Sequence, residues 1–331
     1  MNERIADRPE TSMPLISVIM ETFTVSHEYP AAEATAQVGK VLASLRSQTY
    51  SRDRTEIIVV LERANSGLLQ FVQERCPDAR TALVDDGTYY TMKNLGFDLA
   101  VGDVCALIDG DCIPAPNWLE KIAGAFRRGA DVIAGKTRYR PEHRFAHTFS
   151  IFDFGHVQMD RNGKTFAFVV NNVAFRRTAV AHYRLDEAAR RNGACFVFWR
   201  RLKQAGLDMV YDPGVFVGHG NDFVGAGFWH KHLERGFDWF ILLRTLEPGV
   251  LDSAPTMRRL GPLAPPAMFA ARVWFDFRRL ISNRKDLDVR LYALPYYFGA
   301  SILIRGIEAA GAALAMVKPG YFSRSQFKAN V

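Results

Sequence analysis

Four short, mainly apolar runs, each stopping at a carboxylate, constrain the fold of this 331-residue chain more than any other feature. They are Leu15 to Met20 (LISVIM), ending at Glu21-Thr22; Glu56 to Leu61 (EIIVVL), ending at Glu62; Thr81 to Val84, ending at Asp85-Asp86-Gly87; and Val104 to Ile108, ending at Asp109-Gly110-Asp111. Their apolar residues are continuous and rich in β-branched side chains, as in strands covered on both faces of a parallel sheet. Between them Val38, Val41, Leu42 and Leu45, then residues 67–76, then Met92, Leu95 and Leu99, fall at helical spacing. Strands alternating with helices predict right-handed βαβ units in an open, mostly parallel α/β sheet with helices on both sides. Ligands of such sheets bind beyond the carboxyl ends of the strands, so the polar exits should gather along one rim.

Downstream the pattern is less regular. Asp131 to Gly135 reads as a strand, Phe168 to Phe175 as a strand crossing a polar interruption, Phe196 to Ala205 as a helix, and Met209 to Tyr211 as a short strand before Asp212-Pro213-Gly214. Beyond residue 245 the composition changes, with Pro255, Pro262, Pro265 and Pro266 reading as a linker. The expected division is a loose tail (1–13), an α/β domain (14–245) and a basic, aromatic and then apolar extension (246–331).

With 48% hydrophobic residues the chain can bury one sizeable core. Cys76, Cys105, Cys112 and Cys195 are scattered without Cys-x-x-Cys spacing, and the first fourteen residues hold no apolar stretch, so a reduced, cytosolic setting is expected. A net charge of +7 points to an anionic partner. Between Arg258 and Arg290, eight Lys or Arg stand against three Asp, interleaved with Phe269, Trp274, Phe275 and Phe277. That mixture predicts peripheral contact with an anionic membrane, at its cytoplasmic face, rather than with nucleic acid. Leu291 to Val317 is the most apolar window, but Arg305 and Glu308 interrupt it. A buried hairpin or an interfacial helix is expected there rather than a membrane span.

Two carboxylates separated by one glycine at the mouth of a buried strand need a cation or solvent, because unpaired buried charge is very costly. Hard oxygen ligands favour Mg²⁺ or Mn²⁺, ions that keep waters and bridge to phosphates, and a nucleotide diphosphate fits that demand. Asp and Gly are also good turn formers, so Asp-Gly-Asp alone leaves a type I turn and a metal site both open. A nucleotidyltransferase also places acidic pairs on such a sheet, but no glycine-rich, Lys/Arg-bearing loop follows the first strand to hold a triphosphate.

The order of LISVIM, LASLRSQTY (Leu42 to Tyr50), EIIVVLE (Glu56 to Glu62), KNLGFDLAVGD (Lys93 to Asp103) and ALIDGDCIPAPNWLE (Ala106 to Glu120) resembles the family 2 inverting glycosyltransferases of the GT-A fold, over residues 14–240. The resemblance implies metal-dependent transfer of a sugar, with inversion, from a nucleotide-diphosphate sugar to a saccharide or lipid-linked acceptor in envelope or polysaccharide synthesis. It implies that Thr22 and Glu62 stand beside the nucleoside, that Lys93 lies near the donor phosphates or base, that Asp109 faces the ribose or metal, and that Asp111 is the direct metal ligand. Asn171 and Asn172, in NNVAFRR, match the acceptor side, and His219 matches a histidine able to complete the metal site. Arg235, in a helix expected to close over the acceptor cleft, is a candidate phosphate contact.

One departure is plain. Inverting transfer needs a general base, which the family carries as a Glu-Asp pair before a helix reading Leu-x-x-Arg-Leu. Here Ala194 and Cys195 occupy those positions, leaving Asp186, Glu187 and Asp222 as candidate bases. A cysteine substitutes poorly, being mostly protonated at neutral pH. The loss of the pair also leaves open a non-catalytic protein that binds a nucleotide sugar or serves as a scaffold.

Overall fold

The computed structural model describes residues 13–142, 145–158, 164–165, 167–187, 192–220, 226–246 and 253–322. The four apolar runs are strands β1 (Ile16–Glu21), β2 (Thr55–Glu62), β3 (Arg80–Val84) and β4 (Val104–Asp109). They are followed by β5 (Cys112–Pro114), β6 (Val132–Tyr139), β7 (Asn172–Arg176) and β8 (Met209–His219). All eight form one sheet in the order β3-β2-β1-β4-β7-β6-β8-β5.

β3, β2, β1 and β4 are parallel throughout, as expected of continuous apolar strands. Their registers set Glu21 opposite Asp109 and Glu62 opposite Val84, so the acidic exits do share a rim. The other half is mixed rather than parallel: β7 runs antiparallel to both β4 and β6, and β5 antiparallel to β8. The strand expected over Phe168 to Phe175 starts only at Asn172, so the first asparagine of the polar interruption lies outside it and the second begins it.

β8 runs on through Asp212-Pro213-Gly214 to His219, where the sequence predicted a stop after Tyr211. Against β6 it slips register at Gly135/Lys136. Asn172 holds this bulge: its side-chain amide donates to the Lys136 and Val215 carbonyls at 3.0 Å each and accepts from Trp118 Nε1 at 2.9 Å. A Cβ on Gly135 would stand 2.2 Å from the Val215 oxygen, so only glycine fits.

Helices α1 (Phe23–Glu28), α2 (Ala31–Arg46), α3 (Ser66–Arg75), α4 (Tyr89–Leu99), α5 (Trp118–Arg127), α6 (Ala146–Asp153) and α7 (Ala194–Gln204) accompany the sheet. Side chains alternate along each strand, so Val18 and Met20 pack against α2, α3 and α5 while Ile19 packs against α4 and α7 on the opposite face. Burying each such chain contributes roughly 1.5–3 kcal/mol.

The C-terminal part is helical: α8 (Ala226–Thr245), α9 (Ala254–Arg259), α10 (Ala264–Ser282) and α11 (Leu294–Val317). The prolines expected to mark a linker instead stand in first turns, where the missing N–H costs nothing. No hairpin forms, since α11 is one continuous helix lying along α8. A Cβ on Gly236 would stand 1.8 Å from the Glu308 oxygen, and one on Gly311 1.9 Å from the Leu233 oxygen, so glycine permits the close crossing. By length and composition Leu291–Val317 is sufficient to cross a bilayer. Arg305 and Glu308, however, are buried against each other and against α8 and α10.

Candidate active site

β4 ends at Asp109, and the chain reverses at Gly110, where a Cβ would lie 3.1 Å from the Glu21 carbonyl oxygen. The reversal starts β5, whose pairing sets Cys112 opposite His219. One ligand atom from each of Asp109, Asp111, Cys112 and His219 then lies within 4.8 Å of the others.

These four side chains differ in what they have left to offer. Asp109 accepts from Lys93 Nζ at 2.6 Å and from the Tyr89 hydroxyl at 3.0 Å. Burial, with Asp111 and Asp109 beside it, pushes the Cys112 thiol far above its ordinary range, so it stays protonated. Asp111 Oδ2 accepts from the Tyr29 hydroxyl at 3.1 Å and lies 3.5 Å from His219 Nδ1. Asp111 Oδ1 is buried and has no partner. His219 Nδ1 donates to the Gly220 carbonyl at 2.8 Å, which leaves the Nε2 lone pair for a ligand.

The residues fit a hard divalent ion. An orphaned buried carboxylate oxygen beside an oriented imidazole is a donor set for Mn²⁺ or Mg²⁺, and a protonated thiol does not favour a softer metal. Gly220 keeps the space open, because a Cβ there would stand 2.8 Å from Asp111 Oδ2 and 2.6 Å from the Tyr29 hydroxyl.

Lys93 reaches Asp109 through α4. Thr88 caps that helix by accepting from the Thr91 N–H at 3.2 Å. Gly96 lets the helix lie on β1, where a Cβ would meet Ile19 at 2.1 Å. Tyr89 and Lys93, four residues apart, thus face the rim together, the ammonium 4.6 Å from the Tyr89 ring centre. Lys93 is fully buried and also donates to the Val170 carbonyl at 3.1 Å. Glu21 completes the buried group; burial and then Asp109 push its carboxyl up to about 8, with Lys93 and Thr24 opposing.

The other expected residues spread around this centre. Thr22 donates its hydroxyl to the Val60 carbonyl at 3.1 Å, tying β1 to β2, and Glu62 pairs with His27 Nε2 at 2.8 Å. Asn171 accepts from the Thr137 hydroxyl at 3.2 Å, while Asn172 is occupied by the bulge. Arg235 bonds Asp153, which also accepts from the Tyr139 hydroxyl. Asp186 and Glu187 are exposed; Asn94 donates to Glu187 Oε1 at 2.9 Å, and Asp222 lies outside the described residues.

Ala194 opens α7 directly after Gly193, whose φ of +98° is reserved for glycine. Cys195 follows, within electrostatic reach of Lys93 and Asp109, and burial raises its thiol above the ordinary range. The side chain in the expected base position therefore holds its proton. Tyr29 and Tyr89 were not among the expected site residues, and Glu21 was read only as an acidic strand exit on the rim; Tyr89, one helical turn before Lys93, also carried a readable signal.

The model of a family described as "Glycosyltransferase like family 2" matches residues 29–232. Glycosyltransferase AglE of Haloferax volcanii is 25% identical over 134 residues, which span 39% of this chain and 41% of that relative. Among solved structures, a mannosyltransferase from Pyrobaculum calidifontis, in complex with GDP-Man and Mn²⁺, matches with a TM-score of 0.58 and 16% identity, over 96% of this chain and 90% of the other. S. aureus TarS 1-349, in complex with UDP-GlcNAc, matches at 0.51 with 12% identity, over 93% of each chain. These likenesses establish the GT-A-type fold.

Proposed function

The chain belongs to the family 2 glycosyltransferases, and on that premise we propose that it transfers a sugar, with inversion, from a nucleotide-diphosphate sugar to an acceptor hydroxyl at a Mn²⁺- or Mg²⁺-dependent site. The observation that carries the metal is the unpartnered, buried Oδ1 of Asp111 beside His219. The GDP-Man, UDP-GlcNAc and Mn²⁺ held by the structural neighbours support the donor class and the ion.

Asp111 and His219 would hold the ion, which would supply positive charge to the departing diphosphate. Lys93 fixes the Asp109 carboxylate together with the neutral Tyr89 hydroxyl. Thr22 and Glu62 border the nucleoside end of the rim. The acceptor oxygen attacks the anomeric carbon, the carbon–oxygen bond to the diphosphate breaks, and the acceptor proton leaves to a base. Of the three expected carboxylates, Glu187 is assigned that role, because Asn94 ties its loop to the helix carrying Lys93 through Leu185 and Glu187.

The acceptor is a saccharide or a lipid-linked saccharide, and the protein works on a membrane surface at its cytoplasmic face. Trp274, Phe275, Ile281, Tyr292 and Tyr296 are exposed on the helical extension, among the exposed Arg278, Lys285 and Arg290. That combination suits an anionic bilayer surface.

The protonated Cys195 in the base position favours a second reading, a non-catalytic binder of nucleotide sugars. Single-turnover cleavage of a panel of nucleotide sugars with Mn²⁺ separates the two. The enzyme cleaves one donor slowly without acceptor and Asp111→Ala abolishes the cleavage; a binder retains donor intact in both proteins.

A further inference from the structure

Among the described residues, the ion pairs between α6, α8, α10 and α11 join four guanidiniums, of Arg235, Arg272, Arg279 and Arg305, to three carboxylates, Asp153, Asp276 and Glu308. The carboxylates are shared: Asp276 serves Arg279 and Arg305 at 3.0 and 2.7 Å, and Glu308 serves Arg305 and Arg272 at 2.7 and 3.1 Å. His232 draws further on Glu308 at 3.1 Å, and Lys231 adds positive charge near Asp153. A surplus positive charge in an enclosed place is costly unless an anion offsets it.

Two further observations locate the deficit. Arg279 is buried, yet its Nε–H has no acceptor. Half-buried His156, just past α6, has no hydrogen-bond partner among the described residues. Its enclosure, with Arg279, Arg235, Arg305 and Arg272 around it, pushes its imidazole down to about 3, so it adds no charge of its own. The surroundings are apolar and aromatic: Arg279 lies over the exposed Phe275 ring at 5.6 Å and Arg272 over Trp239 at 5.7 Å.

We propose that the arginine cluster of Arg272 and Arg279, beside His156, binds the phosphate of an amphiphile, with the anionic head against the guanidiniums and the apolar chain along Phe275 and Trp239. Guanidinium groups suit phosphate through their fixed fork of donors, and an aromatic rim suits a lipid chain. The lipid part rests on the membrane reading above; the phosphate part rests on the arginines alone. The phosphate belongs either to a carrier lipid bearing the acceptor or to a bilayer headgroup.

The test uses the full chain, with thermal unfolding followed in EDTA so that the Asp111 centre holds no metal. Inorganic phosphate is expected to raise the melting temperature of the wild type by mass action. His156→Glu places a carboxylate beside the arginines: it is expected to leave the protein at least as stable and to abolish the phosphate response. Arg272→Gln, at a half-exposed position, is expected to weaken the response about tenfold. No response in the wild type, or equal responses in all three proteins, overturns the proposal. Phosphatidylcholine vesicles doped with phosphatidic acid or with a polyprenyl phosphate identify the source: preference for the second assigns a carrier lipid, and equal retention of the wild type a headgroup. Retention of His156→Glu equal to wild type on both also overturns the proposal. Uptake of a nucleoside diphosphate with Mn²⁺, measured separately, is unchanged by His156→Glu; its failure in the wild type would refute the transferase reading while leaving the phosphate result standing.

Discussion

The buried ammonium of Lys93 lies 2.6 Å from Asp109 Oδ1, and this pairing divides the work of the two acids in Asp-Gly-Asp. Asp109 is held in place by Lys93 and Tyr89 and has little left to give, whereas Asp111, two residues on, keeps one oxygen unpartnered. The proposed ligand and its support are thus separated by a glycine that turns the chain.

Asp111→Asn retains shape and the Tyr29 contact but removes the charge that attracts the ion. Turnover is expected to fall by about 10²–10³-fold, the scale of losing a main electrostatic stabiliser, with little change in the urea midpoint. Steady-state kinetics over a Mn²⁺ titration checks this.

Lys93→Met leaves Asp109 and Glu21 buried without their cation. Removing one partner of a buried pair costs about 3–5 kcal/mol, read by urea unfolding. Adding Asp109→Asn to Lys93→Met should recover part of that loss, because no uncompensated carboxylate remains at that position.

Glu21 sets a pH dependence. Its folded value of about 8 lies above the ordinary 4.5, so between those values the folded state binds the proton that the unfolded state has released. Its contribution to stability is full below pH 4.5 and is lost as pH rises through about 8. Glu21→Gln should remove this slope, which reaches at most about 1.4 kcal/mol per pH unit. Unfolding of metal-free wild type and variant from acid to alkaline pH should show the difference curve.

Gly311→Val drives a branched side chain into the Leu233 carbonyl and separates α11 from α8. A loss of about 2 kcal/mol or more is expected from the overpacking, together with faster proteolysis of the C-terminal helices. Gly299→Ala, in open space on the same helix, should be neutral or mildly stabilising.

What the sequence made legible follows interaction range. β1, β2, β3 and β4 could be read because both-face burial writes a continuous apolar run, and Asp109 and Asp111 because they stand at the end of one. His219 reaches Asp111 only through the antiparallel pairing of Cys112 with His219, a contact across more than a hundred residues with no local trace. The extension of β8 through Pro213 was hidden because a bulge, held by Asn172, absorbs the irregularity. Arg305 and Glu308 read as breaks in an apolar segment because their partners Asp276, Arg272 and His232 come from other helices. The prolines in the first turns of α9 and α10 carried two meanings, linker and helix start, and packing selected the second.

The central claim is that a divalent ion, held by Asp111 and His219, receives a sugar's diphosphate. Calorimetric titration of the folded protein with nucleotide sugars tests it most directly, with Mn²⁺ and with EDTA. The account predicts saturable uptake of a donor with Mn²⁺, none in EDTA, and loss of uptake in Asp111→Asn. Equal uptake with and without the ion, or no uptake of any common nucleotide sugar by folded protein, would contradict it.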